Sequence, residues 1–178
     1  MPGSITFITG GSRSGKSRHA QTLAEARDGT RGYIATSAVY DDEMRARVDR
    51  HRAERAGRDW NTIEETTDLA GAIRAANERV LPVDCLTLWV TNLLLKSEAD
   101  GDLIGEDEIA AASRDVLDAA RAHGGEIFFV TNEVGMGIVP ENALARRFRD
   151  LAGRCNQVFA NSADHAILVV SGLPVQLK

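Results

Sequence analysis

The run Gly10-Gly11-Ser12-Arg13-Ser14-Gly15-Lys16-Ser17 satisfies the spacing G-x-x-x-x-G-K-S, and each residue type in it suits a chain of phosphates. Glycines let consecutive backbone N–H groups turn inward around phosphate oxygens, and a helix starting at the end of the run adds a favourable dipole. Lys16 is placed to reach the β and γ phosphates of a nucleoside triphosphate, and the Ser17 hydroxyl to ligate its Mg2+. Lysine is scarce here, with three against eighteen arginines, so one inside a phosphate motif is hard to read as accident. Chance alone would produce the pattern in about 1% of chains this long. A second acid for the cation is Asp84, which follows the apolar Val80–Val83, although an ordinary acid at a strand end would look the same.

The elements that must position these groups alternate in type. Ser4 to Thr9 is short, β-branched and aromatic and ends in the glycine run, the signature of a buried strand, and Lys16 to Ala26 has helical spacing. Tyr33 to Ala35 reads as a second strand, after which Asp41 or Asp42 caps a charged helix running to about Arg58. Thr67 to Arg79 reads as a helix, followed by the apolar run Val80 to Leu86, where Pro82 argues against a central strand. Lys96 to Glu108 reads as an exposed acidic loop. Ile109 to His123 is a helix stopped by Gly124-Gly125, and Ile127 to Thr131 a buried strand. Pro140 opens a helix whose apolar positions Leu144, Phe148, Leu151, Cys155, Val158 and Phe159 recur every three or four residues. Ala166 to Val170 and Val175 to Leu177 complete the strands. Alternating strands and helices predict an α/β fold, a mainly parallel sheet flanked by helices on both faces, with ligands at the carboxyl ends of its strands. Three polar loops fall there: Gly10 to Ser17, Thr36 to Asp42 and Asn132 to Glu141.

At 178 residues and 43% hydrophobic, the chain matches one domain spanning residues 1–178. The net charge of -5 argues against a nucleic-acid partner, since no positive field would attract a phosphate backbone. Cys85 and Cys155 lack C-x-x-C spacing and read as core rather than zinc ligands. With neither a leader-like segment nor an 18-residue apolar span, the expected compartment is the cytoplasm, with no membrane insertion. No Asn-Lys pair is present to read guanine as signalling GTPases do, and the D-x-x-G matches at Asp68 and Asp150 fall in helix-like stretches. Small size and acidity disfavour a DNA motor. A small-molecule kinase or nucleotidyl transferase is left.

Further stretches carry a resemblance along nearly the whole chain: Gly10 to Arg18, Tyr33-Ile34-Ala35-Thr36-Ser37, Asp41-Asp42-Glu43-Met44, Val90-Thr91-Asn92-Leu93-Leu94, Val130 to Pro140 (VTNEVGMGIVP) and Val169-Val170-Ser171-Gly172. The sequence resembles the bifunctional adenosylcobinamide kinase and adenosylcobinamide-phosphate guanylyltransferase family of cobalamin biosynthesis. That resemblance implies a single-domain P-loop NTPase fold of the RecA-like type. It also implies phosphorylation of adenosylcobinamide by ATP or GTP, followed by transfer of GMP from GTP to adenosylcobinamide phosphate. By the same resemblance His51 becomes guanylylated, and GTP contacts fall at Ala35, Thr36 and Ser37, at Arg52, Ala53, Glu54 and Arg55, and at Glu64 and Asp84. A homo-oligomer, a trimer, is implied as well. The residues themselves leave His51 open: with Met44 and Val48 it shares one helix face, which suits a nucleophile and equally a histidine satisfied by a neighbour. Arg52 and Arg55 can neutralise charge developing on a leaving pyrophosphate or simply face solvent. A P-loop kinase without guanylyl transfer, and a non-catalytic nucleotide-binding protein, are the alternatives. Glu133, Gly135 and Gly137 follow a strand end and can line the site, while His19, His123 and His165 read as bystanders.

Overall fold

A computed structural model describes residues 3–38, 53 and 57–178. Its described strands form one seven-stranded sheet. In chain order the elements are β1 (Ser4–Gly10), α1 (Lys16–Glu25), β2 (Arg31–Ala35), β3 (Trp60–Glu64), α2 (Leu69–Ala75), β4 (Val80–Asp84), α3 (Leu86–Ala99), α4 (Glu106–His123), β5 (Glu126–Val130), α5 (Ala143–Ser162), β6 (His165–Val170) and β7 (Leu173–Gln176). The strand order is β3-β2-β4-β5-β1-β6-β7, with every pair parallel except the final β6–β7 hairpin.

Alternation along the strands divides the core between the two faces, as period-2 geometry requires. Ile5, Phe7, Leu81, Val83, Ile127 and Phe129 point into the larger cluster, with Leu69 and Ile73 of α2, Trp89 and Leu94 of α3, Val116 of α4 and Phe159 of α5. Ile8, Val80, Phe128, Val130, Ile167 and Val169 point the other way, onto Ala20 and Ala24 of α1. The expected α/β sheet with helices on both faces is therefore present. The small alanines let α1 lie close to β4, β5 and β1.

Pro82 does sit in a central strand. The Val80 N–H donates to Thr30 and the Asp84 carbonyl accepts from Thr36, so alternate positions of β4, Pro82 included, address β2. The register with β5 runs unbroken through Pro82, whereas that with β2 pairs residues 80, 83 and 84. The missing proline N–H falls where that ladder is interrupted, so its cost is small.

Other boundaries moved for identifiable reasons. The helix expected over Thr67 to Arg79 is confined to Leu69–Ala75, capped by the Asp68 side chain accepting from the Gly71 N–H. Residues Lys96 to Ala99 end α3, and Glu106 to Glu108 form the first turn of α4, so the expected acidic loop shrinks to residues 100–105. The last helix starts not at Pro140 but at Ala143, where the Asn142 side chain accepts from the Ala145 N–H. Two elements are new: the edge strand β3 and the helix α3. Most of the expected helix from Asp41 to about Arg58 lies outside the described residues.

Candidate functional site

The glycine run leaves β1 and enters α1. Arg13 has φ 56° and Gly15 φ 97°, left-handed values that turn the backbone on itself before the helix begins. Close packing requires glycine at the first position: a Cβ on Gly10 would collide with the Val169 carbonyl oxygen and come within 2.6 Å of Ser14 Oγ. The far side of the loop is held by the β6–β7 turn. Ser171 and Gly172 have φ 53° and 83°, the two left-handed residues of a two-residue hairpin, and the Gly172 N–H donates to the Ser14 carbonyl at 2.8 Å. Gly11, Ser12 and Arg13 are exposed, Gly15 and Ser17 half-buried, and Ser14 and Lys16 buried. The Lys16 Nζ donates to the Gly11 carbonyl at 3.2 Å, which folds the cation back over the loop where a phosphate chain would lie.

Three of the expected contacts come together at the next strand ends. In register, Ala35 of β2 stands between Glu64 of β3 and Asp84 of β4. At a strand spacing of about 4.8 Å, β4 lies roughly 10 Å from β1. The Tyr33 hydroxyl donates to Asp84 Oδ2 at 2.8 Å and orients that carboxylate. Thr36 is fully buried: its hydroxyl donates to the Cys85 carbonyl and accepts from the Cys85 N–H, both at 2.7 Å. Ser37 follows, half-buried. Thr36 thus binds the end of β2 to the end of β4. Ala53 is exposed. His51, Arg52, Glu54 and Arg55 lie outside the described residues.

Ser17 and Asp84 are hard oxygen donors, the type that Mg2+ prefers, and Mg2+ commonly takes one or two protein oxygens with the rest from phosphates and water. Among the described residues no group of three or more His, Cys, Asp or Glu gathers to hold a metal.

Several supporting residues were invisible in the motif. Asn92 donates to the carbonyls of Thr36 and Thr66, at 2.8 and 2.9 Å, and so ties the loops after β2 and β3 to α3. Beyond β5, the Thr131 hydroxyl donates to Asn156 Oδ1 at 2.8 Å, the Asn156 amide donates to the Asn132 carbonyl at 3.1 Å, and the Asn132 N–H donates to the Thr87 hydroxyl at 2.7 Å. The available signal was polar residues at core-facing helix positions, since Thr87, Asn92 and Asn156 are buried and buried polar groups must be paired. Glu133 does stand beside the glycine run, its N–H donating to the Gly10 carbonyl at 3.0 Å. Both cysteines are buried and unbridged, and burial pushes their thiols up, to about 11 for Cys85 and about 12 for Cys155. Burial lowers the His19 imidazole below its ordinary value. A cleft of about 520 Å³, lined by Gly29, Thr30, Arg31, Asp59, Asn61 and Glu78, opens at the opposite, amino-terminal end of the strands and contains none of the expected residues. Among the described residues no helix is long and apolar enough to cross a membrane.

A solved KaiC-like protein from Pyrococcus horikoshii OT3 superimposes with a TM-score of 0.50 over 94% of this chain and 71% of its own, at 15% identity; this likeness speaks to the RecA-like P-loop fold alone. Sequence relatives are closer. The chain is 45% identical to the bifunctional adenosylcobalamin biosynthesis protein CobU of Escherichia coli (strain K12), over 98% of this chain and 99% of that one. It is 44% identical to CobU of Salmonella typhimurium over the same shares, and 43% identical to the bifunctional adenosylcobalamin biosynthesis protein CobP of Pseudomonas aeruginosa, over 97% and 96%. Residues 6–177 match the family model for cobinamide kinase / cobinamide phosphate guanyltransferase. With a phosphate loop at the head of a RecA-like sheet and near-complete relatives above 40% identity, the chain belongs to the cobinamide kinase / cobinamide phosphate guanyltransferase family.

Proposed function

We propose that this chain performs both reactions in its family's name, phosphorylating adenosylcobinamide with ATP or GTP and then converting the phosphate to adenosylcobinamide-GDP with GTP. The observation that carries the reading is the row formed by Glu64, Ala35 and Asp84 on adjacent strand ends, at the same carboxyl-terminal end of the sheet as a glycine loop of phosphate-binding form. In the first reaction the hydroxyl oxygen of the aminopropanol arm attacks the γ-phosphorus, the bond from that phosphorus to the β–γ bridging oxygen breaks, the nucleoside diphosphate leaves, and the hydroxyl proton is released. Lys16 and the loop N–H groups hold the transferring charge in place, which is most of what catalysis needs here. Ser17 and Asp84 would hold Mg2+, which supplies charge neutralisation at the β and γ phosphates when bound.

In the second reaction a neutral imidazole nitrogen of His51 attacks the α-phosphorus of GTP and pyrophosphate leaves, giving a phosphoramidate. A phosphate oxygen of adenosylcobinamide phosphate then attacks the same phosphorus, the P–N bond breaks, and His51 is regenerated. Ala35, Thr36, Ser37, Arg52, Ala53, Glu54, Arg55, Glu64 and Asp84 bind the GTP in this scheme. Incubation with GTP labelled at the α-phosphate, without acceptor, tests it: acid-labile protein-bound GMP that disappears in His51→Ala is expected, and label surviving that substitution would overturn the His51 role.

We further propose a cytoplasmic homo-oligomer, a trimer, with no nucleic-acid partner. Val170 at the end of β6, and Leu173, Val175 and Leu177 at β7, which ends the sheet among the described residues, carry exposed apolar side chains that support self-association, because an apolar sheet edge invites pairing. Sedimentation at micromolar concentration tests the oligomeric state.

A further inference from the structure

The segment between β5 and α5 combines two properties that rarely occur together: it is tied down at both ends, and it exposes large apolar side chains in its middle. At its start the Thr131 N–H donates to the Ile8 carbonyl at 2.9 Å and the Glu133 N–H to the Gly10 carbonyl at 3.0 Å. The Asn132 N–H is held by Thr87, and the Glu133 carboxylate accepts from the Gly135 N–H at 2.7 Å. At its end Arg146 donates through Nη1 to the carbonyls of Pro140 and Glu141, at 2.9 and 2.6 Å. Between these anchors Met136 is 83% exposed, Ile138 96% and Val139 57%.

We infer that Met136, Ile138 and Val139 form the docking ledge for the corrin ring of the acceptor. This rests on the proposed kinase and transferase reading and adds to it the residues that receive the corrinoid. Position selects the occupant. The Glu133 N–H is bound to the Gly10 carbonyl and Met136 follows three residues later, within about 11 Å along the chain, so whatever rests on this ledge begins near the glycine run that would carry the phosphate to be transferred. A nucleotide offers this ledge little, being a polar phosphate chain with one flat base. Cobinamide is a wide macrocycle with methyl-rich edges and a hydroxyl on a short flexible arm. An apolar ledge can hold the ring while the arm reaches the phosphate, and fixing the ring removes most of the positional freedom of the reacting hydroxyl. The hydrogen bonds at both ends keep the ledge in place without a bound acceptor, which lowers the ordering cost of binding.

The test is the double substitution Met136→Ser with Ile138→Ser in this chain, with Arg74→Ser, in the exposed last turn of α2 that leads to the amino-terminal end of β4, as control. KM for adenosylcobinamide in the kinase assay, and the dissociation constant of cobinamide by spectrophotometric titration, are expected to rise at least about tenfold, equivalent to roughly 1.4 kcal/mol, with kcat changed far less. Arg74→Ser should leave both constants where they were. Unchanged cobinamide affinity in the double variant would overturn the inference, as would a fall in oligomeric mass that tracks the lost affinity, since the ledge would then be a contact between copies. Self-labelling by α-labelled GTP, read on the same preparations, separates the two levels: wild-type protein that neither self-labels nor phosphorylates cobinamide defeats the functional reading, whereas active wild type with an indifferent ledge defeats only this inference.

Discussion

Replacing Thr36 by valine tests the junction on which the site geometry depends. Valine has nearly the volume of threonine, so the change removes a hydroxyl without opening a cavity. That hydroxyl lies at a fully buried position and makes two bonds of 2.7 Å, donating to the Cys85 carbonyl and accepting from the Cys85 N–H. The two losses are unequal. The carbonyl keeps the Trp89 N–H at 3.1 Å, so it loses one bond of two, worth about 1 kcal/mol. The N–H is left without its acceptor in a buried site, at about 1 to 3 kcal/mol. The sum is about 2 to 4 kcal/mol, and a chain of this size shifts its Tm by about 2 to 4 °C per kcal/mol, so Tm should fall by about 4 to 16 °C. Thr36→Ser, which keeps the hydroxyl and loses one methyl, should cost only about 1 kcal/mol. Because Asp84 directly precedes Cys85 and its carbonyl accepts from the Thr36 N–H at 3.1 Å, the valine variant should also need more Mg2+ for half-maximal kinase activity. Urea denaturation, calorimetry and a Mg2+ titration on the three proteins decide the matter. A valine variant within about 0.5 kcal/mol of wild type, the usual scatter for a surface change, or a serine variant just as damaged, would refute the reasoning.

Gly10→Ala should weaken nucleotide binding and cost about 1 to 3 kcal/mol of stability, because the added Cβ meets the Val169 carbonyl and Ser14 Oγ; Gly11→Ala, with nothing within 4 Å of its Cβ, should fold normally, and equal melting losses for both would contradict the packing account. The Arg121 hydrogen bond is the main reason the Asp164 carboxyl is held below its ordinary 3.8, with Arg121 Nη1 and Nη2 donating at 2.6 and 3.0 Å. A depressed folded-state value gives stability that is present above pH 3.8 and lost as pH falls through the folded value. Both partners are about one-third exposed or more, so the ion pair contributes about 1 kcal/mol at most. The Tm deficit of Asp164→Asn at neutral pH should therefore vanish in acid, and a deficit independent of pH would exclude the linkage. Native protein should resist thiol reagents at pH 8, since Cys85 and Cys155 are 6% and 1% exposed, and should react at two thiols after unfolding; fast native modification would show that one of them is reached by solvent.

What was legible in the sequence was the chemistry written in contiguous residues. The glycine run, the strand that enters it and the helix that leaves it are decided by neighbours along the chain, because backbone conformation and the first turn of a helix are local properties. The long periodic helices α4 and α5 and the strand β5 were readable for the same reason. Only the tertiary structure decided which strand ends stand side by side. Glu64, Ala35 and Asp84 become one row through the order β3-β2-β4, and no local pattern encodes the order of parallel strands. The helix α3 showed no stripe because Leu86, Thr87, Trp89, Val90, Asn92 and Leu94 are all buried, and burial on several sides erases the periodicity that marks an amphipathic helix. The edge strand β3, mostly exposed, forms because β2 offers it an open ladder, a partner that lies nearly thirty residues away in the chain. Pro82 was acceptable because its neighbours, not its type, determine whether a missing donor is noticed.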